Sequence, residues 1–307
     1  MYRLICCLLL PMLALAMPAW AQSVPGSRSS VLVLGRVSDD PRRDAERLQP
    51  MLDYVVPRLR DVGIREGRVL MARDAGQMHS YLRRNRVHWI SDSAVMAIDY
   101  QRRTGATLLL ATEREGRLSY SSVFFTWRGS GIDSLDDLRG HSIGFQNAYS
   151  TSSYVLPAAE LLRAGLDLDV LLSPLDRAAP NRVGYLFARN EGNVLAWVQK
   201  RLVDAGAFSD LDWQQAITMR AGLTEDLVIF HETADAPRAI EVTAPSLDPV
   251  VRERLREVLL AAGEDPAARD ALARFFNTHR FVPLDAGVKS GLERLRGDLE
   301  LVRTHLE

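Results

Sequence analysis

Cysteine is almost missing from this sequence, and the little present lies at one end. Cys6 and Cys7 are the two cysteines of the 307 residues, so a chain that sheds its first segment keeps no thiol, no disulfide and no cysteine metal site. Histidine is sparse too: His79, His88, His141, His231, His279 and His305 are dispersed without a His-x-x-x-His pair, so neither a metal nor any other cofactor is expected. Beyond residue 21 no apolar run reaches the roughly 20 residues that cross a bilayer. Neither sign of charge is in excess. With 38 basic and 39 acidic residues the formal net charge is −1, which excludes the basic surface that binds nucleic acid and requires that any anion be captured by local geometry. Internal repeats and low-complexity linkers are also lacking, which argues against a string of independent modules.

What is present begins with an export signal. Arg3, an apolar stretch from Leu4 to Met17 and the small-residue pattern Ala19-Trp20-Ala21 predict a cleaved signal peptide over residues 1–21 and a mature protein starting near Gln22 in a bacterial periplasm. Neither cysteine follows an apolar run long enough for a lipoprotein acceptor. The remaining chain has the length of two lobes with a core each.

Strand and helix patterns then alternate. Ser30-Val31-Leu32-Val33-Leu34-Gly35 is a continuous apolar run suited to a strand covered on both faces, and Asp44 to Leu59 follows with helical spacing. Further strands are predicted at 69–71, 87–90, 107–111, 121–127 and 183–187, with helices at 77–84, 94–103 and 193–202. Ser134 is the expected cap of a short helix ended by Gly140. Residues 239–243 read as extended, and 249–262 and 266–277 as helices. Alternation of this kind argues for an α/β architecture with parallel layers.

The most informative segment is Gly144-Phe145-Gln146-Asn147-Ala148-Tyr149-Ser150-Thr151-Ser152-Ser153, where a strand end meets hydroxyl residues at the start of a helix. Pro157 is tolerated only in a first turn, which fixes the helix start near those hydroxyls. The first amides of a helix have no partner within it, so amides, dipole and hydroxyls together can replace the water around an oxyanion. The same pattern also serves as a plain N-cap. Glu191, in the loop between a buried strand and a helix, either faces a cleft or caps that helix; facing an anion, a carboxylate accepts only from a protonated oxygen or an amine. Ser38, after the first strand, is a candidate donor from the opposite side. Arg36, Asp92 and Arg189 are weaker candidates, because such charges are usually solvated. A Ser150 hydrolase lacks the Gly-x-Ser-x-Gly elbow and a recognisable histidine partner.

From Gly131-Ile132-Asp133-Ser134-Leu135-Asp136-Asp137-Leu138-Arg139-Gly140 through Phe145 and Ser150-Thr151-Ser152, then Leu156-Pro157, Gly165, Val183-Gly184, Asp204-Ala205-Gly206-Ala207 and Leu247-Asp248-Pro249, the chain resembles the phosphonate-, phosphite- and phosphate-binding proteins of ABC importers, the PhnD-like periplasmic solute-binding proteins. The resemblance implies a type II periplasmic-binding fold, two α/β lobes with a ligand cleft and two crossover strands. Lobe 1 would comprise 22–118 and 223–307, lobe 2 residues 119–222, with crossings near Leu118 and Leu223 and the C-terminal helices on lobe 1. It further implies that Ser150, Thr151 and Ser152 hold phosphoryl oxygens, that Tyr120 stands near the hinge, and that Asp204 is either a ligand residue or a turn residue. The family's aromatic residues on lobe 1 are replaced near Ala75 and near Ser91-Asp92, and Glu191 stands where many relatives use histidine. The function expected is capture of a phosphorus oxyanion by a monomer that presents its closed form to an importer permease; a sensor subunit for a membrane receptor is the alternative.

Overall fold

The computed structural model describes residues 30–219 and 221–306; the expected signal peptide and the cleavage point near Gln22 lie outside them. The strands in chain order are β1 (Val31–Val37), β2 (Glu66–Ala72), β3 (Trp89–Ser93), β4 (Thr107–Arg114), β5 (Ser119–Tyr120), β6 (Ser122–Trp127), β7 (Ser142–Phe145), β8 (Asp167–Val170), β9 (Arg182–Phe187), β10 (Ala205–Ser209), β11 (Leu227–Glu232), β12 (Ala236–Pro237), β13 (Ala239–Thr243) and β14 (Thr278–Val282). The helices are α1 (Pro41–Val55), α2 (Ala75–Arg83), α3 (Ala94–Thr104), α4 (Leu156–Arg163), α5 (Glu191–Gln199), α6 (Asp210–Met219), α7 (Ala221–Thr224), α8 (Pro249–Ala262), α9 (Arg269–Arg274) and α10 (Ala286–Leu306).

The alternation resolves into two six-stranded sheets, ordered β14-β4-β13-β3-β1-β2 and β11-β6-β10-β7-β9-β8. In the first, β1 runs parallel to β2 and β3. Leu32 and Leu34 on one face of β1 are fully buried, while Val31 and Val33 on the other are half-buried, so the strand is covered more completely on one face than its continuous apolar run predicts. In the second, β7 runs parallel to β9 and β10. Here Gly206 permits a close approach: a Cβ at that position would lie 2.7 Å from the Phe125 ring and 2.8 Å from Val194 Cγ1. Parallel strands place their exits on one edge, so the loops after β1, β2 and β3 gather on one side of the first sheet and those after β7 and β9 on one side of the second.

Between the lobes β5 pairs antiparallel with β12, Tyr120 opposite Ala236. The return crossing differs from the sequence expectation near Leu223. Residues Leu227–Glu232 pair with β6 and complete the second sheet, so the chain returns only after Glu232. The β-rich run Leu227-Val228-Ile229-Phe230 supplies the physical reason, since it offers an antiparallel partner to an otherwise bare edge. The C-terminal helices also divide differently from expectation. While α8 and α9 pack on lobe 1, α10 packs on α3 of lobe 1 and on α4 of lobe 2, and Arg163 pairs with buried Asp298 across that contact.

The core is likewise shared. One buried cluster around Leu34, Leu52, Trp89 and Phe275 lies within lobe 1, and another around Phe125, Val194 and Phe208 lies within lobe 2. A third runs from Met78 and Ile90 through Tyr120 to Phe124, Phe145 and Leu161, so apolar packing passes through the hinge. Two local expectations change as well. Ser134 does not cap a helix: its amide and hydroxyl donate to Asp137 Oδ2 at 2.9 and 2.8 Å around a single 3₁₀ turn, Asp136–Leu138. The helix expected over 266–277 ends at Arg274, because Phe276 and Asn277 take left-handed φ values of 55° and 52° to enter β14.

Candidate functional site

The cleft between the lobes, about 780 Å³, is walled by loop ends from both sheets. Lobe 1 supplies Arg36, Ser38, Asp39, Asp44, Arg73, Asp74, Ala75, Asp92, Ser93 and Met96; lobe 2 supplies residues 146–152, Phe187, Arg189 and Glu191, with Tyr120 at the hinge. Of the seven residues singled out from the sequence, six therefore line one cavity: Ser38, Tyr120, Ser150, Thr151, Ser152 and Glu191.

The hydroxyl segment has a wider turn than a plain helix start. Residues Thr151–Val155 form a π turn leading into α4, with Val155 N bonded to Ser150 O and Leu156 N to Thr151 O. Pro157 explains the widening. It lacks the N–H that would reach the Ser153 carbonyl in an α-helix or the Ser152 carbonyl in a π-helix. Both carbonyls are satisfied from elsewhere, Ser153 O by Gln146 N at 3.1 Å and Ser152 O by Ser122 Oγ at 2.5 Å. The amides of Thr151 and Ser152 precede the first intrahelical bond and have no partner within the helix.

The hydroxyls are held by donors from the protein. Ser150 Oγ accepts from Ser153 N at 3.0 Å, which makes Ser150 the N-cap. Thr151 Oγ1 accepts from Val95 N at 3.2 Å, a bond that joins the first turn of α3 in lobe 1 to lobe 2. Because a hydroxyl accepts through its lone pairs and donates separately, an oxygen fixed by an amide keeps a proton to donate. Cap and anion site are thus compatible at Ser150 rather than exclusive. Ser153, adjacent in sequence, is committed to structure: it donates to the Ala207 carbonyl and accepts from Gln146 N at 2.9 Å.

Tyr120 is buried and hydrogen-bonded to Thr151, and burial pushes its phenol up to about 12, so it remains a neutral hydroxyl. Ser38, also buried, accepts from Asp40 N at 3.0 Å while its own amide bonds to Ala72 O. Glu191 occupies the first turn of α5, whose cap is Asn190, accepting from Asn193 N at 2.8 Å. Glu191 therefore faces the cleft instead of capping its helix. Burial, with the charge of Asp212 second, pushes its carboxyl up to about 7. Beyond it a smaller cavity of about 420 Å³ runs under α6 between Asp212 and the apolar side chains of Leu195, Phe208 and Met219.

Asp204 is placed elsewhere. It precedes β10 at the edge where the strands begin, opposite the cleft. Its Oδ2 accepts from the amide and hydroxyl of Ser142, both at 2.8 Å, and lies 3.5 Å from His141 Nδ1. This is the turn role weighed beside the ligand role, and it ties β10 to β7.

Arg36, Asp92 and Arg189 do reach the cleft, and Arg73, Asp74 and Asn147 join them without having been singled out. All three additions follow the carboxyl ends of β2 or β7, the one signal that could have found them. Asp92 accepts from Tyr100 Oη at 2.9 Å. Arg73 is exposed and pairs with Asp74 at 3.2 Å. No histidine lines the cleft, and among the described residues no group of three His, Cys, Asp or Glu side chains is arranged for a metal.

Comparison with known proteins bears on the family and the fold. Residues 37–287 match the family model described as ABC transporter, phosphonate, periplasmic substrate-binding protein. The fold superposes on XAC2383 from Xanthomonas citri bound to chloride ion with a TM-score of 0.87 and 49% identity, over 91% of this chain and 100% of that one. A second structure of XAC2383, bound to ATP, gives a TM-score of 0.86 at 48% identity, again over 91% of this chain and 100% of that one. PhnD1 from Prochlorococcus marinus in complex with methylphosphonate shares the fold, with a TM-score of 0.68 at 17% identity over 90% of this chain and 98% of that one. A search of the curated proteins found no match.

Proposed function

Because this chain belongs to the periplasmic substrate-binding proteins of phosphonate ABC transporters, which capture a solute for an importer, we propose that the solute it captures carries a phosphorus oxyanion. The observation that carries this reading is the π turn at Thr151–Val155. Free amides, the positive end of a helix and hydroxyls already fixed as acceptors all converge on one cleft wall there, a set of donors without formal charge. Removal of a leader ending near Ala21 and action as a monomer are part of the same proposal.

Glu191 refines the ligand's chemistry. A carboxyl with a pKa of about 7 is partly protonated near neutrality and donates to an oxyanion, or when ionised accepts from an amine on the ligand. Phosphonates and hydrogen phosphate also carry an exchangeable proton, whereas sulfate does not. The cavity beyond Glu191 leaves room for the organic part of a phosphonate. The structure of XAC2383 with ATP supports the same choice, since ATP is itself a phosphoryl compound.

Calorimetric titration of the mature protein with methylphosphonate, phosphite, phosphate and sulfate tests the proposal. At least one phosphorus anion should bind more tightly than sulfate. Thr151→Ala should weaken that ligand by about tenfold to hundredfold, the loss of one charge-assisted hydrogen bond of about 1.5–3 kcal/mol. Unchanged affinity in that variant, or a wild type that takes sulfate equally well, would sink the phosphoryl reading. A partner that is a membrane receptor rather than a permease would leave these titrations unaltered, so the sensor alternative is separated only by co-purification with the membrane component.

A further inference from the structure

The lobe 1 wall carries a cation built into place. The Arg36 guanidinium lies over the Phe276 ring, 4.4 Å from its centroid, and its Nη1 donates to the Ser91 carbonyl at 3.3 Å. Its Nε is buried without a hydrogen bond, and the nearest carboxylate oxygen, Asp44 Oδ2, is 3.8 Å away, too far for one. Behind it Arg114 lies over the same ring at 4.6 Å and donates to Ser91 Oγ at 2.7 Å. Burial first, then the charge of Arg36, pulls Arg114 down to about 10, as two cations on one ring should repel. The facing acids are Asp44, Asp92 and Glu241. Of these, Glu241 is fully buried and already accepts from Trp89, Ser91 and Thr112 at 2.6, 2.5 and 2.6 Å.

Arg36 differs from the other cleft cations. Arg73 is solvated and taken by Asp74, and Arg189 is exposed, so each would lose side-chain freedom on binding. A guanidinium already held by a ring face and one nitrogen loses little. Across the cleft stands an anion site of hydroxyls and amides with no formal charge. The volume between them, about 780 Å³, is far larger than one phosphoryl group needs.

Resting on the phosphoryl reading above, we propose that Arg36 is a second anchor of this cleft and that the solute is a phosphoryl compound bearing a second oxyanion, a carboxylate or another phosphate. The phosphoryl group sits on Ser150–Ser152, and the second oxyanion takes the part of the Arg36 guanidinium that stays exposed to the cleft, a quarter of the side chain, from the opposite lobe. Asp44 competes with that group and so sets how strongly the second anion is favoured.

Titrations with methylphosphonate and phosphonoacetate test this on wild type, Arg36→Gln and Asp44→Asn. Wild type should bind phosphonoacetate at least about tenfold more tightly than methylphosphonate, the effect of one added charge-assisted contact. Arg36→Gln should weaken phosphonoacetate far more than methylphosphonate, collapsing that ratio toward one. Asp44→Asn should raise the ratio, a gain that misfolding cannot imitate and that decides the matter if the Arg36 variant does not fold. Equal wild-type affinities, equal weakening of both ligands by Arg36→Gln, or an unchanged ratio in Asp44→Asn would overturn the proposal. Failure of the phosphoryl reading looks different: methylphosphonate binding would then be indifferent to Thr151→Ala.

Discussion

Glu191 illustrates how one residue's environment decides its chemistry. Between the ordinary value of 4.5 and about 7 its folded carboxyl holds a proton that the unfolded chain has released. More protons bound in the folded state mean that stability falls as pH rises through this window. The stabilisation from the neutral form is fully present below about 4.5 and gone above about 7. Glu191→Gln should abolish this slope. Its thermal midpoint should exceed wild type by a margin that is small at pH 5 and grows to a plateau above pH 7, corresponding to roughly 1–2 kcal/mol once partial exposure is allowed for. Parallel calorimetric pH series on both proteins check this, and a margin independent of pH would show that Glu191 is well solvated. That the residue lies between a strand and a helix, where it either faces a cleft or caps the helix, was legible from the sequence. Its pKa was not, because the shift comes from burial and from Asp212, twenty-one positions further on in α6.

At the scale of one element, the π turn before α4 joins sequence to site most directly. Pro157 withholds one N–H, two carbonyls turn outward to Gln146 N and Ser122 Oγ, and the turn widens beside the hydroxyls of Ser150, Thr151 and Ser152. Pro157→Ala restores a donor able to reach Ser153 O, so the turn should tighten toward an α-helix. Folded stability should change by less than about 1 kcal/mol, yet affinity for methylphosphonate should fall by about threefold or more as the amides of Thr151 and Ser152 are re-aimed. Denaturant melts and titration of the same preparation separate the two effects. Undiminished affinity would mean that the geometry is held by Ser150 and Ser153 alone. The sequence shows the proline and the hydroxyls; it does not show Ser122, which is reached only when β6 folds beside this turn.

For the whole molecule, the decisive feature is that apolar packing does not stop at the hinge. The cluster running from Ile90 through Tyr120 to Phe145, together with α10 lying on both α3 and α4, ties the lobes into one unit. Unfolding should therefore follow a single cooperative transition, and a phosphorus ligand should raise its midpoint without splitting it. Saturation at 100 times the dissociation constant would add about 2.7 kcal/mol. Differential scanning calorimetry with and without ligand checks this; two transitions, of which one responds to ligand, would show that the lobes unfold separately. The sequence by itself determined the α/β class, the positions of β1, α3, β6, β13 and α8, and the hydroxyl residues at a helix start, because these rest on local periodicity, capping and proline chemistry. Only the tertiary structure decided that β11 belongs to lobe 2, that Asp204 is a structural tie between β7 and β10, and that Arg36 and Arg114 share the Phe276 ring. Each of these depends on which distant segments become neighbours, and long-range pairing is fixed by packing of the complete chain, which no local pattern records.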